Sequence, residues 1–203
     1  MEMNKLHGRL CISNLENVDT KEEANQAMLN NKKCPNELRF KWIFDMHAQL
    51  GIDVPDADVL DALQPHPNHK DLKVITYGGV KYPSWLNKTS LPKLKSMFLG
   101  NCKSLEQLPS LGHWPSLKYL KFGCVNAVRQ VGLNFYGTPT ISSFPVLEHL
   151  SCWNMPEWDD RSSTDARQLF PCVLDLYVKD YPKLRRLPCI PFSLVKLRLS
   201  KVG

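Results

Sequence analysis

Leu94-x-x-Met97-x-Leu99-x-x-Cys102-x-x-Leu105-x-x-Leu108-Pro109 is the stretch on which the fold turns. Its L-x-L-like core alternates apolar and other side chains, the period of a short half-buried strand. The later apolar residues, three apart, cover the core as the chain turns back. Leu108-Pro109 closes the unit, because proline fixes φ and lacks the amide donor that would continue a strand or helix. One such unit cannot bury its own apolar face.

The frame recurs downstream as Leu117-x-x-Leu120-x-Phe122-x-x-Val125-x-x-Val128-x-x-Val131, and again as Leu147-x-x-Leu150-x-Cys152-x-x-Met155-x-x-Trp158. Val173-x-x-Leu176-x-Val178-x-x-Tyr181-x-x-Leu184-x-x-Leu187-Pro188 follows, and Leu194-x-x-Leu197-x-Leu199-x-x-Val202 is the last copy. Upstream, Leu72-x-Val74-x-x-Tyr77 is a weaker copy with His69 at the first-leucine position, and Leu10-x-Ile12 and Leu38-x-Phe40-x-Trp42 read as two more strands. The second-leucine positions 72, 97, 120, 150, 176 and 197 recur at close to the ~20–29 residues of leucine-rich repeats. The widest gap holds an insertion, GLNFYGTPTISS at 132–143, whose Gly and Pro predict a loop.

The pattern predicts an α/β leucine-rich-repeat solenoid, a curved horseshoe fragment. A parallel sheet lines its concave face, and loops and short helices form the convex face, with neighbouring repeats burying what each exposes. Residues 1–203 are expected to form one leucine-rich-repeat domain of about eight strand-bearing repeats, irregular over 1–90 and regular over 91–203. A helix is expected near 20–33, since Thr20 and Glu23 have capping-box spacing and Ala24, Ala27 and Met28 share a face. A second short helix is expected at Asp58–Leu63, with loops at 45–57 and 64–70.

The composition fits this reading. Of 203 residues, 43% are hydrophobic and 23% charged, with 29 Leu, 10 Gly and 15 Pro, which excludes collagen and wholesale disorder. Mean hydropathy is −0.30, and no apolar run approaches the ~18 residues that span a bilayer. The first fifteen residues lack the apolar core of a signal peptide. Seven cysteines without a Cys-x-x-Cys pair argue against a metal knuckle and suit a reducing compartment. Without a secretory signal, Asn87-Lys88-Thr89 is a chance match to the glycosylation sequon. The net charge is +6, of which residues 171–203 carry +5.

Catalytic signals are weak. His66 and His69 lack the Cys or acidic neighbours of a metal site. Glu157, Asp159 and Asp160 cluster in a convex loop without a nucleophile in register. No nucleophile elbow, zinc-protease helix or dinucleotide loop occurs, so neither an enzyme nor a cofactor is expected.

The outward faces of the strands are more informative. Residues flanking the inward leucines point to the concave side. They stack into three columns, with strands ~4.8 Å apart. The middle column holds Lys73, Phe98, Lys121, Tyr177 and Arg198; the preceding one Tyr119, His149 and Lys196; the following one Trp153 and Lys179. Aromatic rings and arginine are the types enriched in binding hot spots, so these ten residues form the candidate protein-binding face. Nucleic-acid binding through the basic C-terminal end, with aromatics stacking on bases, is the weaker alternative.

Two further stretches resemble a known family. They are Leu6-His7-Gly8-Arg9-Leu10-Cys11-Ile12-x-x-Leu15-Glu16-Asn17-Val18, and Leu63-Gln64-Pro65-His66-Pro67-Asn68 followed by Tyr77-Gly78-Gly79-Val80-Lys81-Tyr82-Pro83-Ser84-Trp85-Leu86. Together with Leu38-x-Phe40-x-Trp42, they resemble the leucine-rich-repeat region of plant coiled-coil, nucleotide-binding disease-resistance proteins of the cereal type. That resemblance implies part of a plant immune receptor in the cytoplasm, with the nucleus as an alternative site. It implies protein partners: a pathogen effector, a guarded host protein, or a receptor's nucleotide-binding domain. Neither a membrane nor a small-molecule substrate is implied. The family's phosphate loop, G-x-x-x-x-G-K-[ST], does not occur here, and Met46-His47 is not followed by Asp, so nucleotide binding is not carried over. A truncated remnant or decoy of such a receptor is the alternative reading.

Overall fold

The computed structural model describes residues 8–32, 35–43, 56–87, 90–129, 133–136, 143–158, 169–183 and 191–202. Eight strands form one sheet in chain order: β1 (Gly8–Ser13), β2 (Pro35–Lys41), β3 (Asp71–Ile75), β4 (Ser96–Gly100), β5 (Tyr119–Gly123), β6 (His149–Trp153), β7 (Asp175–Tyr181) and β8 (Lys196–Val202). Every neighbouring pair is parallel. Parallel neighbours in chain order require each strand to be joined to the next by a return outside the sheet, the architecture expected from the repeat.

The register is the one the leucine spacing predicts. Leu10, Leu38, Leu72, Met97, Leu120, Leu150, Leu176 and Leu197 lie in a single row across all eight strands. From Leu38 to Leu120 that row has no exposed surface. Full burial of each such side chain contributes about 1.5–3 kcal/mol, so the inward rows hold the stack together without help from the strand edges.

A second row could not be read from the apolar pattern. Asn14, Thr76, Asn101, Cys124, Asn154, Asp180 and Lys201 each follow the third outward position of their strand, and all have φ between 51° and 62°. In β1 and β3–β6 this left-handed residue comes directly after the strand and turns the chain out of the sheet, while in β7 and β8 the strand runs one residue past it. The N–H groups of Thr76 and Asn101 donate to Gly100 and Gly123 carbonyls at 2.8 Å, and Asn154 donates to Lys179 at 2.9 Å. Asn and Asp tolerate this conformation; a β-branched residue such as Thr76 does so at a cost.

The returns differ from expectation at three points. Helix α1 spans only Lys21–Asn25, capped by Thr20 Oγ1, which accepts the Glu23 N–H at 3.1 Å. Met28, at φ 47°, ends any continuation, and a 3-10 turn at Leu29–Asn31 replaces it. Helix α2 spans Asp56–Ala62, starting two residues and ending one residue before the predicted Asp58–Leu63. Of the predicted loop at 45–57, residues 45–55 lie outside the described residues and 56–57 belong to α2, while 64–70 is loop and turn as expected.

The insertion is the third correction. It is not all loop: α3 (Leu133–Tyr136) occupies part of it and buries Phe135 and Tyr136. Phe135 packs edge-on against Phe122 at 5.8 Å and lies 5.1 Å from Phe144, which stacks on Phe170 at 5.3 Å. Such pairs contribute about 0.5–1.5 kcal/mol each beyond their burial. Gly112 fastens both ends of this segment: its N–H donates to Phe135 O at 3.1 Å, and its carbonyl accepts the Phe144 N–H at 2.7 Å. A Cβ on Gly112 would collide with the Tyr136 carbonyl.

Two buried polar side chains complete the N-terminal repeats. Asp56 accepts the Trp42 indole N–H at 3.0 Å and the Gly78 amide at 3.1 Å, tying α2 to β2 and to the return after β3. His69 occupies its leucine slot with 1% exposure. Its Nδ1 bonds the His66 carbonyl at 2.8 Å, and its Nε2 has no partner among the described residues.

Candidate functional site

The three outward columns follow from the pleat and the register, which carry Lys73, Phe98, Lys121, Ser151, Tyr177 and Arg198 in one row. Tyr119, His149, Asp175 and Lys196 form the row before it; Trp153, Lys179 and Ser200 lie in the row after it. What the sequence does not specify is which side chains meet.

Phe98 and Trp153 meet. Their rings lie near-parallel, 20° apart, with centroids 5.8 Å apart. Gly100 and Gly123 make room: a Cβ on Gly100 would collide with Phe98, and one on Gly123 with Trp153. The pair is therefore sunk into the sheet, and neither ring is fully exposed.

A second group runs through Tyr119, His149, Asp175, Arg198 and Tyr177. Tyr119 stacks on the His149 imidazole at 4.8 Å and 9°. His149 Nδ1 lies 3.8 Å from Asp175 Oδ2. Arg198 donates to both Asp175 oxygens at 2.9 and 3.1 Å, and its guanidinium sits 5.1 Å from the Tyr177 ring centroid. One guanidinium nitrogen, Nη2, makes both contacts, and with the aromatic face beside it the charge-assisted pair holds the three side chains together. The four aromatics thus form no single patch; they divide between these two groups.

Lys73 belongs to a third group, which the sequence reading missed. Glu37 on β2 receives Arg9 and Lys73 at 2.9 Å and Arg39 at 3.2 Å. Burial pushes the Glu37 carboxyl up, but hydrogen bonds from Lys73 and Arg9 outweigh it and hold the group below its ordinary value. The signal was present: Leu10-x-Ile12 and Leu38-x-Phe40 extend the same columns onto β1 and β2. Of the remaining predicted residues, Lys179 lies 3.9 Å from Asp180, whereas Lys121 and Lys196 are exposed and have no ion-pair partner among the described residues.

The columns are electrically lopsided. The middle one carries Arg39, Lys73, Lys121 and Arg198 with no acid, and the following one adds Lys41 and Lys179. Three acids, Glu37, Asp71 and Asp175, all sit in the preceding column with Arg9 and Lys196. The outward face of the sheet thus carries a net +5, nearly the whole +6 of the chain. The basic character is not confined to the C-terminal repeats, as a linear count suggests; it begins with Arg9 on β1.

The other candidate groups have structural partners where they are described. Glu157 pairs with Lys183 at 2.8 Å, and Asp159 and Asp160 lie outside the described residues. The His66 ring accepts the Asn68 amide while His69 is in the core. Burial pushes the Cys102 and Cys152 thiols up to about 12, far from the range of a reactive thiolate. Among the described residues no helix is long and apolar enough to cross a membrane.

Comparison with known proteins places this architecture. The family described as R13L1/DRL21 leucine-rich repeats matches residues 1–125, which include both stretches that carried the resemblance. The chain belongs to that family. Relatives of the R13L1/DRL21 repeats here include an Arabidopsis thaliana disease-resistance protein, 32% identical over 198 residues, covering 91% of this chain and 14% of the relative. An RPP13-like disease-resistance protein of Arabidopsis thaliana is 29% identical over 215 residues, covering 99% of this chain and 20% of the relative. The disease-resistance protein RGA2 of Solanum bulbocastanum is 29% identical over 185 residues, covering 88% and 19%. The R13L1/DRL21-type chain therefore spans a fifth or less of the length of these relatives. No solved structure matches.

Proposed function

We propose that this chain is a protein-binding repeat module of plant defence, acting through the concave face and not through catalysis. One observation carries the reading: the outward columns hold mutually packed aromatic and ionic groups, the half-buried Phe98 with Trp153 and the more exposed series from Tyr119 through Tyr177, where a purely structural sheet face needs only solvated polar residues. Such pre-ordered side chains lose little entropy on association. The partner is an effector, a guarded host protein, or a nucleotide-binding domain of the same receptor. The names of the relatives support the defence context, and the cytoplasm or nucleus is the compartment that context suggests.

The test is capture of partners from plant tissue by the wild-type chain and by Trp153→Ala/Tyr177→Ala. Partners held by the wild type and lost by the double variant, with both chains melting alike, support the reading. Identical capture by the two overturns the assignment to this face. Capture of nothing specific by either favours the remnant reading.

A further inference from the structure

The charge of the concave face points to the chemistry of its partner. The middle column holds four cations and no acid over eight strands, and within it the exposed Lys121 stands without an ion-pair partner among the described residues. Lys196 on β8 and Lys41 on β2 are likewise exposed and unpaired among the described residues. Glu37 is outnumbered three to one by Arg9, Arg39 and Lys73, so that cluster keeps net positive charge. Lys73 and Arg39 already face Glu37, and Arg198 faces Asp175, so what a ligand bringing carboxylates would neutralise is the excess of cations over acids on the face as a whole, with Lys121, Lys196 and Lys41 as its unpaired members.

We propose that the concave face takes an acidic, extended segment of a partner polypeptide, laid across the strands from Lys73 through Lys121 to Arg198. This deepens the protein-binding reading above and rests on it. Lys73 and Lys121 are two strands apart, about 10 Å, and an extended chain covers that distance in about three residues. Lys121 and Arg198 are three strands apart, about 14 Å, or about four residues. Carboxylates at such intervals would meet successive cations.

Nucleic acid fits less well. A nucleic-acid strand carries a phosphate at every residue, so more of its charge than of a peptide with carboxylates at every third or fourth residue would face Glu37, Asp71 and Asp175, which border the basic column. The rings that could stack on bases each have a partner already: Phe98 has Trp153, Tyr119 has His149, and Tyr177 has Arg198.

The experiment measures fluorescence anisotropy with the whole chain and three probes: a 15-residue peptide with Glu at every third position, the same peptide with Lys in place of Glu, and a 15-nucleotide oligothymidine. The acidic peptide is expected to bind best and to weaken as salt rises from about 50 to about 300 mM. Lys121→Glu/Lys196→Glu is expected to cost at least about tenfold in its affinity. Lys81→Glu/Lys93→Glu changes the net charge equally, off the sheet, and is expected to cost less than about threefold. No binding of the acidic peptide, equal loss in the two double variants, or tighter binding of oligothymidine overturns the inference. The two proposals fail separately. If captured partners are lost by Trp153→Ala/Tyr177→Ala but kept by Lys121→Glu/Lys196→Glu, the face binds protein and the acidic-partner inference falls.

Discussion

The Phe98 and Trp153 rings pack 5.8 Å apart although strand β5 runs between their backbones. They can do so only because Gly123 leaves the space that the indole fills. Gly123→Ala is therefore expected to expel Trp153 while leaving the inward leucine row untouched. Of the five tryptophans, Trp42, Trp85, Trp114 and Trp158 are buried, so aqueous quenching reports mainly on Trp153. The variant should show markedly stronger acrylamide quenching and lose less than about 1 kcal/mol of stability. Unchanged quenching would mean that the ring does not depend on this glycine.

Thr76 holds φ 59° in a row where Asn occupies three other repeats. A left-handed conformation costs an ordinary L-residue about 1–2 kcal/mol, and more for a β-branched one. Thr76→Asn is expected to raise stability by about 1 kcal/mol, since its side chain also offers Asn101 Nδ2 an acceptor in place of the Thr76 hydroxyl now at 3.4 Å. Asn101→Val should lose about 1–2 kcal/mol for the opposite reason. Urea midpoints of the two variants test the pair, and a Thr76→Asn chain no more stable than wild type refutes the strain.

His69 supplies a pH dependence. Burial, its largest influence, lowers its pKa from the ordinary histidine value. The unfolded chain therefore takes up the proton first. Stability is fully present above the unfolded value of about 6.5 and is lost as pH falls below it, toward the lower folded value. His69→Leu restores the residue type of the slot and removes the unpaired Nε2, while the His66 carbonyl keeps the His69 backbone N–H at 3.1 Å. Thermal melts from pH 7.5 to pH 5 should fall less steeply for the variant. Parallel curves would rule out His69 as the source of the slope.

Asp56 joins three segments through two hydrogen bonds. Asp56→Ala leaves the buried Trp42 indole N–H without an acceptor and should cost about 2–3 kcal/mol. Asp56→Asn, which keeps an oxygen, should cost less. A urea titration that places Asp56→Ala within error of wild type would show that the junction contributes nothing.

The contrast between rows and partners explains how much the sequence disclosed. Spacing alone identified the Leu10-to-Leu197 row, because a one-residue slip would turn every leucine outward. It also placed each concave residue in its column. Contacts across columns depend on the absence of a side chain at Gly100 and Gly123, which no periodicity registers. The left-handed row escaped notice because glycine, its usual marker, does not occur there. Helix α3 was hidden because GLNFYGTPTISS breaks the repeat, and its Gly and Pro outweighed the two aromatics that enter the core. The Glu37 cluster was missed because the columns were not followed onto the irregular repeats.

Gly112 has a consequence for how this protein can vary. By clasping Phe135 and Phe144, it returns the chain to nearly the same place before β6 begins. Tyr136 and Ser143, just inside those anchor points, are themselves buried and hydrogen-bonded to each other. With the two ends held in this way, a longer connection between Tyr136 and Ser143 is expected to cost little more than the slowly growing entropy of a closed loop, which makes this clasp a port where surface can be grafted without renegotiating the stacking of the repeats.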